Sequence, residues 1–272
     1  MDITELCSGI NLQPEIRCRV LEFAAGFDFQ AVDDLLKGFQ GQESRQNALK
    51  ELQTILKEDE DHIKVLACML KASADLYDFY REKGIDDGIY FDTMKCYPRF
   101  IGETYRMTGR FCFDREWWTV RQVGGCLFCI GALEYEIAET DQKKGIELHI
   151  PSGTDLSPDA VSQSLSSAGR FFAKYFPETG QAEYHGHSWI LDRQLKGMLG
   201  EDSNIIRFQN RFEITDEGEP GTECIRWVYG TGTDDYASLP ERTTLQREMK
   251  RHLLAGGVIR EAHGILRQRE EE

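Results

Sequence analysis

The chain has 272 residues, 32 of them Lys or Arg and 47 Asp or Glu, for a formal net charge of −15 at pH 7. Its 40% hydrophobic content supports a sizeable core, and its length fits two domains or one large one. The acidic balance speaks against nucleic-acid and anionic-membrane binders, which need basic surface. No apolar run reaches the roughly 18 residues of a membrane span, and residues 1–18 lack the basic and apolar regions of a secretory signal. The expected location is therefore cytoplasmic, with the eight cysteines reduced. Cys126 and Cys129 form the one close pair. They lie in an apolar run without two further ligands, so they read as core rather than as a zinc knuckle.

Residues 1–110 read as helical. Pro14 opens a segment with Ile16, Val20, Leu21 and Ala24 at helical spacing, and residues 30–39 make a second, short helix. Residues 44–57 carry a stripe of Ala48, Leu49, Leu52, Ile55 and Leu56. Asp59, Glu60 and Asp61 suit the start of a helix running to Gly84, since carboxylates favour the positive end of the helix dipole. Asp86-Asp87-Gly88 reads as a turn, and residues 89–109 as a helix interrupted at Pro98.

Beyond Arg115 the pattern becomes β-rich. Residues 116–125, 126–138 and 146–151 read as three strands, with a hairpin turn at 141–145. Ser157-Pro158 is an N-cap followed by proline at the first helical position, and Val161, Leu165, Ala168, Phe171 and Phe172 continue that helix. Residues 182–192 read as a strand, 192–200 as a short helix, and 204–215 and 222–230 as paired strands. Residues 241–257 form a last helix stopped at Gly256-Gly257, and 263–272 read as a charged tail.

A strand meander followed by a crossover helix and another strand makes an α+β arrangement. This order resembles the core of the GNAT acyltransferase superfamily. Three local phrases resemble more closely a bacterial family with an N-terminal helical N-acyltransferase domain and a GNAT-like C-terminal domain. They are His187-Ser188-Trp189-Ile190-Leu191-Asp192, Ser203 to Gln209, and Leu239 to Arg247. The resemblance covers nearly the whole chain. It implies a helical bundle over 1–115, then a mixed sheet with flanking helices over 116–272. It also implies acyl transfer from acetyl-CoA or another acyl-CoA to a small-molecule or peptide amine; no metal is expected, and the charge balance above leaves no nucleic-acid or membrane partner expected.

The site residues follow from the same order. The loop after the third strand would hold the CoA pyrophosphate through Ile150, Ser152, Gly153 and Thr154 at a helix N-terminus, assisted by Arg170. Glu147 and His149 alternate onto one strand face, as do His185 and His187. Glu147, His149 and His187 are the candidates for proton transfer. The loop departs from the usual Gln/Arg-x-x-Gly-x-Gly/Ala pattern in having one glycine and no preceding arginine. That departure leaves a catalytically inactive sensing or interaction module as an alternative. A hydrolase holding a metal on His149, His185 and His187 is a further one. Trp189 reads as core, and Gly230-Thr231-Gly232 as a connection rather than a phosphate loop. Both halves of the chain are acidic, which suits a cationic amine acceptor better than the polyanionic donor.

Overall fold

A computed structural model of the chain describes residues 1–139, 144–179 and 182–267. The chain divides into two compact units, Met1–Ile130 and Gly131–Glu272. No helix among the described residues is long and apolar enough to cross a membrane.

The first unit is almost entirely helical. Helix α1, Ile3–Gly9, opens on a capping box in which Asp2 and Glu5 satisfy each other's backbone N–H groups. Helix α2 spans Pro14–Gly26, α3 Asp33–Gly38 and α4 Arg45–Leu56. The α4 stripe buries Ala48, Leu49, Leu52 and Leu56, while Ile55 is left 52% exposed. Helix α5, Ile63–Lys83, is the central element. Asp59 accepts hydrogen bonds from the N–H groups of Lys64 and Val65 at its start, and Gly84 ends it at φ +70°. Leu66, Cys68 and Leu70 on α5 are fully buried.

Three expectations change in this unit. Residues 86–88 begin a helix, α6 (Asp87–Met94), because the Asp86 side chain caps the Gly88 N–H at 2.8 Å. Helix α7, Cys96–Thr108, carries Pro98 in its first turn, where a missing N–H costs nothing, so the break falls at Lys95 instead. Residues 116–125, expected as a strand, contain helix α8, Glu116–Val123. Its buried positions Glu116, Thr119, Val120 and Val123 recur at helical spacing. Strand β1, Leu127–Ile130, closes the unit. Burial pushes the Cys7 thiol up to about 11 and Cys68 up to about 12, so these are inert core thiols.

The second unit is a mixed sheet with flanking helices. Strands β2 (Leu133–Glu139) and β3 (Lys144–His149) are antiparallel. Positions 141–143 of the expected hairpin turn lie outside the described residues. Helix α9, Pro158–Tyr175, starts on the Ser157 cap as the sequence implied and crosses over to β4, Tyr184–Ser188, which pairs parallel with β3. Helix α10 (Asn204–Gln209) and strand β5 (Phe212–Asp216) divide a segment expected to be one strand. Helix α11, Glu223–Tyr229, replaces another expected strand, with Cys224 and Ile225 buried and Trp227 turned outward. Gly230, at φ +70°, is simply its C-cap.

Helix α12, Thr244–Leu254, begins with a Thr243–Gln246 capping box. Strand β6, Ala262–Leu266, lies in what read as a charged tail. It pairs antiparallel with both β4 and β5, so the strands of this unit stand in the order β2-β3-β4-β6-β5. Helix α9 covers one face of the sheet. The Tyr135 hydroxyl lies 2.8 Å from Ser164 Oγ, and Phe172 meets both Tyr135 and Tyr184 edge-on. Trp189 is buried, in keeping with a core role.

Candidate active site

The two parallel strands part company at one end. The β3–β4 ladder runs from Ile146↔Tyr184 to Leu148↔Gly186. The β2–β3 ladder continues to His149, and the β4–β6 ladder to Ser188↔Ala262. Past Leu148 and Gly186, each strand therefore keeps its outer neighbour while the inner pairing stops. Local chemistry accounts for the divergence. Pro151 has no N–H to offer a ladder. Ser188 turns β4 into a 3-10 segment, Trp189–Leu191, by accepting from the Ile190 N–H at 3.2 Å. His149 stands on one side of the opening, His187 on the other.

Ladder partners share a face, and successive residues alternate. Tyr135, Ile146 and Leu148 are committed to the α9 side. Glu134, Glu136, Glu147, His149, His185, His187 and His263 consequently share the opposite face. Glu134 and Glu136 are buried. His149 Nε2 lies 3.1 Å from Glu136 Oε2, a contact that offsets part of the cost of burying that carboxylate. Glu147 sits directly across the ladder from Glu136. His187 and His263 stack with ring centroids 3.9 Å apart and planes 5° from parallel. His185 is turned toward Glu183 at 3.9 Å. No group of His, Cys, Asp or Glu among the described residues is arranged to hold a metal ion, so His149, His185 and His187 do not form the three-ligand cluster considered from the sequence.

The loop at 150–157 is a tight turn. The Thr154 N–H donates to Pro151 O at 3.3 Å, its hydroxyl donates to Ala132 O, and Gly153 takes φ +72°. Asp155 accepts from both the N–H and the hydroxyl of Ser157, at 2.8 and 2.9 Å, and Ser157 Oγ caps the Ala160 N–H. The Thr154 amide, expected to face an anion, is thus engaged within the loop, as is the neighbouring amide of Ser157. Positive charge comes instead from Arg211. Its Nη2 donates to Pro158 O at 3.0 Å and Ser162 Oγ at 2.8 Å, against the first turn of α9. Arg170 is bound to Ser166 and Ser167, twelve residues along α9 from Pro158, or roughly 18 Å at helical rise. It does not join the loop.

The structure thus brings Glu147, His149 and His187 onto one face beside an opening, with Ile150, Ser152, Gly153 and Thr154 in the adjoining turn. Glu136, His263 and Arg211 were missed. The alternation of Glu134 and Glu136 with Tyr135 and Ile137 was a visible signal for the first. The other two depend on strand pairings that no local pattern reveals.

Residues 1–125 match the model of an N-acyltransferase N-terminal domain, and residues 127–266 that of a GNAT-like C-terminal domain. The chain belongs to this GNAT-like acyltransferase family. Among solved structures, it is similar to an acyltransferase in complex with decanoyl-CoA and teicoplanin, with 25% identity over 96% of this chain and 86% of that one and a TM-score of 0.79. The same fold occurs in an acyltransferase mutant in complex with octanoyl-CoA (24% identity, 97% and 86% covered, TM-score 0.79). It occurs again in an acyltransferase in complex with CoA and 10C-Teicoplanin (23% identity, 98% and 99% covered, TM-score 0.72). Comparison with curated proteins returned no match. The GNAT-like acyltransferase fold accounts for the strand order and for the crossover helix between the parallel pair.

Proposed function

We propose that this chain transfers an acyl group from a CoA thioester to an amine acceptor at the opening between β3 and β4. The observation that carries the proposal is the parting of these strands beside the His149–Glu136 pair, in a chain of acyltransferase fold. The relative 25% identical to this chain is in complex with decanoyl-CoA, which supports a medium-chain acyl donor over acetyl-CoA. Its second ligand, teicoplanin, supports an acceptor larger than a free amino acid. The acidic chain suits a cationic amine.

The assignments of residues follow from position. With Nε2–H directed at Glu136, the imidazole lone pair of His149 is on Nδ1, which takes the proton from the acceptor nitrogen. That nitrogen then attacks the thioester carbonyl carbon, the C–S bond breaks, and the departing thiolate takes up a proton. Glu147 and His187, on the same face, are the groups through which protons enter and leave. Ile150, Ser152 and Gly153, together with Arg211, take the donor's pyrophosphate, while Thr154 holds the turn through its own bonds to Pro151 and Ala132; Arg211 replaces Arg170 in that role. No disulfide joins the eight cysteines among the described residues, which supports a reducing compartment, and we assign the reaction to the cytoplasm.

Thiol release from decanoyl-CoA, followed over a panel of amines with mass analysis of the products, tests the proposal. Amine-dependent release with an acylated product is the expected result. Tight CoA binding without turnover on any amine would instead assign a binding module.

A further inference from the structure

A cavity of about 390 Å³ opens at the β5 edge of the second unit. Its mouth carries Arg193 and Lys196, from a second 3-10 turn after β4, Arg193–Gly197, and Arg267, which follows β6. Phe212 and Ile214 form an apolar floor, with the amide of Asn210 beside them. Three cations and no carboxylate line this space, in a chain whose net charge is −15. The cavity is on the sheet face away from the histidines. Phe212 and Ile214 alternate with Glu213, whose partner Ile265 pairs in turn with His185.

The cations are weakly committed. Arg193 reaches Glu217 at 3.3 Å, but both side chains are more than half exposed, where such a pair contributes little. Its other nitrogen donates to Ile214 O at 3.3 Å and holds the guanidinium at the cavity mouth. No carboxylate among the described residues pairs with Lys196 or Arg267. Three like charges lining one cavity, with a single exposed carboxylate at its edge to offset them, repel one another, and an anion removes that cost. Two guanidinium forks and an ammonium match the several oxygens of a phosphate.

We infer that this cavity binds a phosphate group, borne by a phosphomonoester whose organic part rests on Phe212 and Ile214. The group comes either from the nucleotide end of the acyl donor or from a separate phosphorylated ligand. The first source rests on the acyl-transfer reading above; the second does not.

The full chain and a Lys196→Ala/Arg267→Ala variant, both changes being at exposed positions, are melted with and without millimolar inorganic phosphate at constant ionic strength. CoA and dephospho-CoA are titrated calorimetrically into each protein. Phosphate is expected to raise the melting temperature of the parent chain more than that of the variant. If the donor's 3′-phosphate is the occupant, CoA binds the parent chain about tenfold more tightly than dephospho-CoA, and the variant loses the difference. If the ligand is separate, CoA affinity is the same in both proteins while the phosphate response still differs. Equal phosphate stabilisation of both proteins, together with no variant effect on CoA, overturns the inference. The phosphate arm needs no acyl donor, so its failure is distinguishable from failure of the proposed reaction.

Discussion

His149 Nε2 lies 3.1 Å from Oε2 of Glu136, a carboxylate only 6% exposed on the neighbouring strand. The pair links two residues thirteen positions apart, and it fixes the ring that faces the β3–β4 opening. Glu136→Gln keeps the shape of the partner but removes the charge that favours an imidazolium during proton transfer. Its kcat is expected to fall about 100-fold, with KM for the acyl donor little changed. His149→Ala is expected to lose at least as much, and the double variant no more than the worse single one, since the two act as a unit. Steady-state thiol release on the three variants checks this; additive losses would separate the residues.

Glu136 and Glu147 face each other across the β2–β3 ladder, an arrangement that like charges disfavour. Glu147→Gln is expected to stabilise the fold by about 0.5 kcal/mol while lowering kcat. Denaturant melts alongside turnover measure both. A variant that is less stable and fully active would remove Glu147 from the proton path.

His62 Nδ1 lies 3.1 Å from Oε1 of the buried Glu116, which also accepts from Gln53 Nε2 at 3.0 Å. The Glu116 hydrogen bond raises the His62 pKa above its ordinary 6.5, against the opposing effect of burial. A folded-state value above the unfolded one means that the contribution to stability is complete below the unfolded pKa and is lost as pH rises through the folded one. The melting-temperature advantage of the parent chain over His62→Gln should be largest below about pH 6.5 and shrink above it. A pH-independent difference would show that the ion pair contributes nothing.

Two left-handed glycines separate strain from crowding. Gly218 takes φ +65°, and a Cβ there would collide with the Glu261 carbonyl beside β6. Gly153 takes φ +72° in open space. Gly153→Ala is expected to cost about 1 kcal/mol, from backbone strain alone. Gly218→Ala should cost several kcal/mol, because β6 must shift as well. Urea melts rank the two, and only Gly153→Ala should raise KM for the donor at unchanged kcat.

The helical first unit, the strand character of β2 and β3 and the Ser157-Pro158 start of α9 were legible because each is written in local periodicity or capping chemistry. Glu147 and His149 could be put on one face by alternation alone. Helices α8 and α11 were hidden by Trp117, Trp118, Val120, Ile225 and Trp227, residues that favour strands in isolation. Their burial is decided by what they pack against. Strand β6 is five residues long, and its place between β4 and β5 depends on contacts distant in sequence, so His263 was out of reach. Arg211 was missed for a related reason: its role depends on bringing the start of β5 to the first turn of α9.

Calorimetric titration of decanoyl-CoA into the full chain tests the central claim most directly. Saturable one-to-one binding, weakened by Arg211→Ala and left intact by Glu136→Gln, is the predicted result. An absence of binding up to millimolar donor would contradict it.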